Sequence, residues 1–159
     1  MGYKRSIFLY PFSLLYGFAT GFRNFLFNSK ILKSYTFNIP IICVGNLTVG
    51  GTGKTPHTEY LTDLLRTNFK VAVLSRGYKR ETSGFRFADD NSLANDIGDE
   101  PLQIFRKFPD ITVAVDSNRV HGVQTILKEK PDTEVIILDD GFQHRRITPG
   151  FSILLSDFE

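Results

Sequence analysis

Eight consecutive residues, Thr48-Val49-Gly50-Gly51-Thr52-Gly53-Lys54-Thr55, restrict what this chain can fold into more than any other stretch. They follow a short apolar run, Ile39–Val44, and open a segment from Thr55 to Arg66 in which Tyr60, Leu61, Leu64 and Leu65 recur at helical spacing. A glycine-rich turn between a buried strand and a helix is the context of a phosphate-binding loop. Glycines let backbone N–H groups turn toward phosphate oxygens with no Cβ in the way. The helix start adds further N–H donors and a partial positive charge. Lys54 is placed to reach the β- and γ-phosphates of a nucleotide, and Thr55 to hold Mg²⁺. Thr48 stands where the common form of this loop has glycine, yet Gly50, Gly51, Gly53 and the Gly-Lys-Thr end are intact. An ordinary glycine-rich turn has no use for an embedded Lys-Thr at that place.

The rest of the chain repeats the same alternation. Lys70–Leu74, Ile111–Val115, Glu134–Leu138 and Phe151–Leu155 read as strands, and Pro101–Phe108 and Asn118–Lys128 as helices. Residues 76–98 are polar and rich in Gly, Asp and Asn, and read as a long loop or small excursion. Short apolar strands alternating with helices indicate an α/β fold with a mostly parallel sheet covered on both faces, here of the P-loop NTPase type. A length of 159 residues suits one such domain. With 42% hydrophobic and 23% charged residues, wholesale disorder is excluded. The lone Cys43 excludes an internal disulfide and a cysteine-cluster zinc site.

The first part of the chain differs from the rest. Residues 1–58 carry six Lys and Arg and no acid, whereas 59–159 carry 13 bases and all 17 acids. Of 21 Phe and Tyr residues, 11 lie in residues 1–37, and Ser6–Phe22 is an uncharged run of 17 residues. That is short for a bilayer span of about 20 residues. As a helix it places Phe8, Phe12, Leu15, Ala19, Phe22 and Leu26 on one face, and Ser6, Ser13, Gly17, Thr20 and Asn24 on the other. An amphipathic helix with bases at its ends suits the headgroup layer of a membrane. A helix packed on the protein's own core and a signal peptide are the competing readings. The expected organisation is a membrane-surface segment, 1–34, ahead of a nucleotide-binding domain, 35–159.

Four further motifs carry chemistry. Val135–Asp140 is a buried strand ending in two acids, and adjacent carboxylates repel unless a divalent cation lies between them. Asp-Asp-Gly is also good turn chemistry. The following Gly141-Phe142-Gln143-His144-Arg145-Arg146 sets a titratable His144 beside that candidate metal site. In Gly98-Asp99-Glu100-Pro101, Pro101 suits the first helical position and Asp99 the cap, with catalysis of proton transfer as the sharper role for Asp99. Ser75-Arg76-Gly77-Tyr78 follows a strand at the edge where open α/β sheets bind ligands. His57 and His121 read as structural. No nucleic-acid motif stands out.

Together, Val44–Pro56, Ser75–Tyr78, Gly98–Pro101 and Leu138–His144 resemble in order the motifs of the tetraacyldisaccharide 4'-kinase family, the lipid A 4'-kinases of Gram-negative envelope synthesis. The resemblance implies a lipid kinase at the cytoplasmic face of the inner membrane. Such an enzyme moves the γ-phosphate of ATP to the 4'-hydroxyl of a tetraacylated glucosamine disaccharide 1-phosphate. It implies that Thr48–Thr55 bind ATP, that Asp99 is the base, that Thr55, Asp139 and Asp140 hold Mg²⁺, and that His144 lies on the acceptor side. Members of that family are about twice as long, so the resemblance covers an N-terminal half and implies a further lobe closing the cleft. The alternative from the residues alone is a membrane-associated P-loop ATPase or switch protein without lipid kinase activity.

Overall fold

The structure, a computed structural model, describes residues 10–29, 31–46, 53–141 and 145–156. The chain divides into two compact units, Met1–Ser34 and Tyr35–Glu159. In the first, α1 (Tyr10–Asn28) runs for 19 residues. Leu14, Phe18, Phe22 and Phe25 are exposed on it, and the Phe18 and Phe22 rings stack with centroids 6.4 Å apart. At about 100° per residue these four side chains fall within one quarter of the helix circumference. Among the described residues no helix is long and apolar enough to cross a membrane.

The second unit is a six-stranded sheet. Its elements in chain order are β1 (Ile41–Asn46), α2 (Lys54–Arg66), β2 (Val71–Ser75), β3 (Arg86–Phe87), α3 (Ala94–Ile97), α4 (Asp99–Lys107), β4 (Thr112–Val115), α5 (Arg119–Glu129), β5 (Val135–Asp139) and β6 (Phe151–Leu155). The strand order is β3-β4-β2-β5-β1-β6. All pairings are parallel except that of β3, which runs antiparallel to β4 at one edge.

The central strands are apolar along their length because both faces are covered. Alternate residues feed two cores. Ala72, Leu74, Ala114, Ile136 and Leu138 pack with Val120, Val123 and Ile126 of α5. Val71, Val73, Val113, Val135 and Ile137 pack on the other side with Ile104 and Phe108, and with the half-buried Leu61 and Leu65 of α2. The register pairs Val44 with Asp139, the last residue of β5, and β1 continues from there to Asn46. The turn into α2 and the acids after β5 therefore leave the sheet at the same edge.

Residues 76–98 take the form of a small excursion: Arg86–Phe87 adds an edge strand and Ala94–Ile97 a single helical turn. One expectation needs correction. The next helix begins at Asp99 with Gly98 as its cap, so Pro101 is the third helical residue and not the first. Proline is tolerated there because its missing N–H lies in the first turn, where no intrahelical acceptor exists.

Candidate functional site at the carboxyl edge of the sheet

Gly53 caps α2 in the left-handed conformation, with φ 77° and ψ 23°. Lys54 and Thr55 follow as the first helical residues. The expected phosphate contacts Thr48, Val49, Gly50, Gly51 and Thr52, and His144 beyond β5, lie outside the described residues.

The described part of the site is held together from both sides. The Lys54 ammonium donates to Asp140 Oδ1 at 2.9 Å, joining residues 86 positions apart in the chain. Asp140 has φ 53°, a left-handed turn that reverses the chain as it leaves β5. Asp139, the last residue of β5, has the same parity as Val135 and Ile137 and so faces α2. It is only 1% exposed and accepts from Thr58 Oγ1 at 3.1 Å and Ser75 Oγ at 3.3 Å. Burial pushes the Asp139 carboxyl up, and the Glu100 and Asp140 charges push it further, against the two hydroxyl donors.

Arg119 is a site residue that sequence reasoning passed over. It is 2% exposed, and its guanidinium donates to the main-chain oxygens of Asp116 at 2.5 Å and Asp139 at 3.1 Å. The Asp116 carbonyl follows β4 and the Asp139 carbonyl ends β5, with β2 between them, so one side chain ties two strand ends across a third. Burial pulls the Arg119 guanidinium down to about 10, opposed by the Asp139 and Asp140 charges, so it stays protonated at neutral pH. Thr58 was missed as well. The signal in the sequence was its pairing with Thr62 at i and i+4, both fully buried.

Asp99 is exposed at the start of α4, where the helix dipole favours its charge. Gly98 before it has φ 96° and ψ 156°. A Cβ on Gly98 would lie 3.1 Å from the Tyr78 carbonyl oxygen and 3.2 Å from Gly77 Cα. The Ser75–Tyr78 and Gly98–Pro101 motifs therefore touch backbone to backbone. Arg76 is exposed, and its charge acts on Arg119.

The two histidines read as structural each have a partner in the fold. His57 Nδ1–H donates to the Gly53 carbonyl at 2.8 Å, which stiffens the first turn of α2. His121 Nδ1–H donates to Asp116 Oδ2 at 2.6 Å. Asp116 also accepts from the Asn118 N–H at 2.8 Å, fixing the turn that aims Arg119. Cys43 is buried, and burial raises its thiol to about 11. Among the described residues no three His, Cys, Asp or Glu side chains gather into a metal cage. What the edge offers is a set of hard oxygen donors: the Thr55 hydroxyl and the Asp139 and Asp140 carboxylates.

Comparison with known proteins adds to this geometry. A family profile described as Tetraacyldisaccharide-1-P 4'-kinase matches residues 5–159. The protein named Tetraacyldisaccharide 4'-kinase from Parabacteroides distasonis is 58% identical over 151 residues, covering 94% of this chain and 41% of the relative. Its namesake from Phocaeicola vulgatus is 56% identical over 157 residues, covering 98% and 43%. The chain therefore spans about two fifths of the length of these relatives. A crystal structure of LpxK from Aquifex aeolicus, described as an "apo" form in complex with ATP, superimposes with a TM-score of 0.84 at 41% identity. That match covers 92% of this chain and 47% of the other.

Proposed function

The chain belongs to the tetraacyldisaccharide-1-P 4'-kinase family, and on that premise we propose that its site binds ATP and serves transfer of the γ-phosphoryl group to the 4'-hydroxyl of a tetraacylated glucosamine disaccharide 1-phosphate. The observation that carries the reading is the Lys54–Asp140 pair at 2.9 Å. It joins the cation at the start of α2 to the acid after β5 across the edge where the sheet binds ligands. A triphosphate drawn to Lys54 and to the amides of Thr48–Thr55 takes the ammonium over and releases the Asp140 carboxylate.

Phosphoryl transfer asks the protein for positioning and charge neutralisation more than for covalent chemistry. Thr55, Asp139 and Asp140 offer the oxygen donors that suit Mg²⁺. When bound, that ion neutralises charge on the phosphate oxygens. Asp99 accepts the proton of the acceptor hydroxyl as its oxygen bonds to the γ-phosphorus. The bond from that phosphorus to the β–γ bridging oxygen breaks, and ADP leaves. Arg119 keeps the acidic edge in place, and His144 serves the acceptor side. The exposed Leu14, Phe18, Phe22 and Phe25 of α1 suit contact with the headgroup layer at the cytoplasmic face of the inner membrane, where an acylated acceptor resides.

Calorimetric titration with ATP tests the nucleotide half: Lys54→Ala weakens binding at least tenfold. Equal affinity in the variant overturns it. Transfer of radiolabelled phosphate to the disaccharide lipid tests the rest. Slow hydrolysis that ignores the acceptor favours a nucleotide-dependent switch.

A further inference from the structure

α2 and α4 lie on the same face of the sheet, both feeding the core around Val73 and Ile137. α2 starts at Lys54 and α4 at Asp99. The distance between those two starts is therefore the distance between the phosphate-binding cation and the base of the reaction proposed above. Apolar burial holds both helices against the sheet but does not by itself join one to the other, because the hydrophobic effect is not directional.

Glu59 joins the two helices directly. Glu59 lies five residues beyond Lys54 and is 8% exposed. Its Oε1 accepts from Gln103 Nε2 at 2.6 Å and its Oε2 from Lys107 Nζ at 2.6 Å. Gln103 and Lys107 sit at i and i+4 on α4 and so present one face to the same carboxylate. Glu59 and Lys107 also line a groove of about 550 Å³ together with Pro56, Tyr60 and Phe108 among others. Burial pushes the Glu59 carboxyl up, but the hydrogen bonds from Lys107 and Gln103 outweigh it and hold the group below its ordinary range. A leucine would cover the same apolar surface. What a carboxylate with two short, directed bonds adds is a set length. A second mooring lies at the far end of α2, where Arg66 donates to Asp110 at 3.0 Å. Glu59 is the one of the two close to the site.

We propose that Glu59 is a positioning residue for phosphoryl transfer: its bonds to Gln103 and Lys107 set the separation between the helix start bearing Lys54 and Thr55 and the helix start bearing Asp99. This rests on the roles proposed above for those residues.

The test uses the whole chain with spin labels at Leu64→Cys and Arg106→Cys, both exposed positions away from the site. Cys43, buried with a raised thiol pKa, does not take the label. Pulsed electron-resonance distances are measured with Glu59 intact, with Glu59→Leu, with Glu59→Gln, and with the reversed pair Glu59→Lys/Lys107→Glu. The expected result is a distance distribution at least twofold broader for Glu59→Leu, partial broadening for Glu59→Gln, and a return toward the original width for the reversed pair. ATP affinity stays within threefold throughout, and in the transfer assay kcat falls at least fivefold for Glu59→Leu at unchanged KM for ATP. An unchanged distribution in a folded Glu59→Leu protein overturns the proposal, as does a KM effect equal to the kcat effect. Should Glu59→Leu not fold, Glu59→Gln against the reversed pair decides by the same widths. Failure of the nucleotide reading has a separate signature: Lys54→Ala binds ATP as tightly as the original chain.

Discussion

Replacing Gly98 by alanine should be among the most damaging single-methyl changes in this protein, and the size of the effect can be worked out in advance. Gly98 has φ 96° and ψ 156°, a conformation held almost solely by glycine. Forcing a side chain into such a region costs about 1–3 kcal/mol. The new Cβ would also stand 3.1 Å from the Tyr78 carbonyl oxygen and 3.2 Å from Gly77 Cα. Both are backbone atoms, so no rotamer change relieves the crowding, and overpacking of this kind costs about 1–3 kcal/mol. Together these give roughly 2–6 kcal/mol, less the roughly 0.4–1 kcal/mol that alanine gains by restricting the unfolded chain.

Gly84 supplies the internal control. Its φ of 75° is also left-handed, but a Cβ there meets nothing within 4 Å. Gly84→Ala therefore carries only the backbone strain, about 1–2 kcal/mol. Urea unfolding of both variants separates the contact from the conformation. Gly98→Ala should be less stable than Gly84→Ala by about 1–4 kcal/mol, the overpacking plus the difference in backbone strain. Near the melting point each kcal/mol is about 4 °C for a chain of this length. Because Gly98 sets the start of α4, the same variant should lower turnover through Asp99 more than it lowers ATP affinity. Equal destabilisation by the two substitutions would refute the claim that the Ser75–Tyr78 and Gly98–Pro101 turns are locked by close approach.

Arg119→Met should destabilise the protein by about 2 kcal/mol in urea unfolding, since two carbonyls lose a donor at roughly 1–3 kcal/mol each while relief of a buried charge returns part of it. A more stable variant would mean that burying the guanidinium costs more than its bonds return. Glu59 has a carboxyl pKa below its ordinary value, so its contribution to stability is present above the unfolded value of about 4.3 and is lost as pH falls through the lower folded value. The gap in melting temperature between the original chain and Glu59→Gln should accordingly close on acidification from pH 7 toward pH 3; a gap that stays constant removes the charge from the explanation. Phe18→Glu/Phe22→Glu should abolish flotation with anionic vesicles and leave ATP affinity unchanged, and flotation that survives the double change places membrane contact elsewhere.

The parts of this fold that could be read from the residues are those in which one element imposes a pattern on its own sequence. β2 and β5 are buried on both faces, so Val71–Leu74 and Val135–Leu138 had to be continuous apolar runs. The turn at Gly53-Lys54-Thr55 and the acids ending β5 announce themselves because backbone geometry and charge demand particular residue types. The helix between them misleads for a physical reason. Its apolar residues Tyr60 and Leu64 point to solvent, while Thr58, Glu59 and Thr62 are buried. This helix turns hydrogen-bonding groups inward, toward Asp139 and α4, and leaves the apolar contact with the sheet to Leu61 and Leu65. β3 is two residues at a sheet edge, too short to impose any period. Arg119 is illegible for another cause: it bonds main-chain oxygens, which every residue carries, so nothing in the identity of its partners marks it. The motifs thus report the groups proposed to meet the nucleotide, and the residues that hold those groups in place, Glu59 and Arg119 above all, become visible only once the strand ends are brought together.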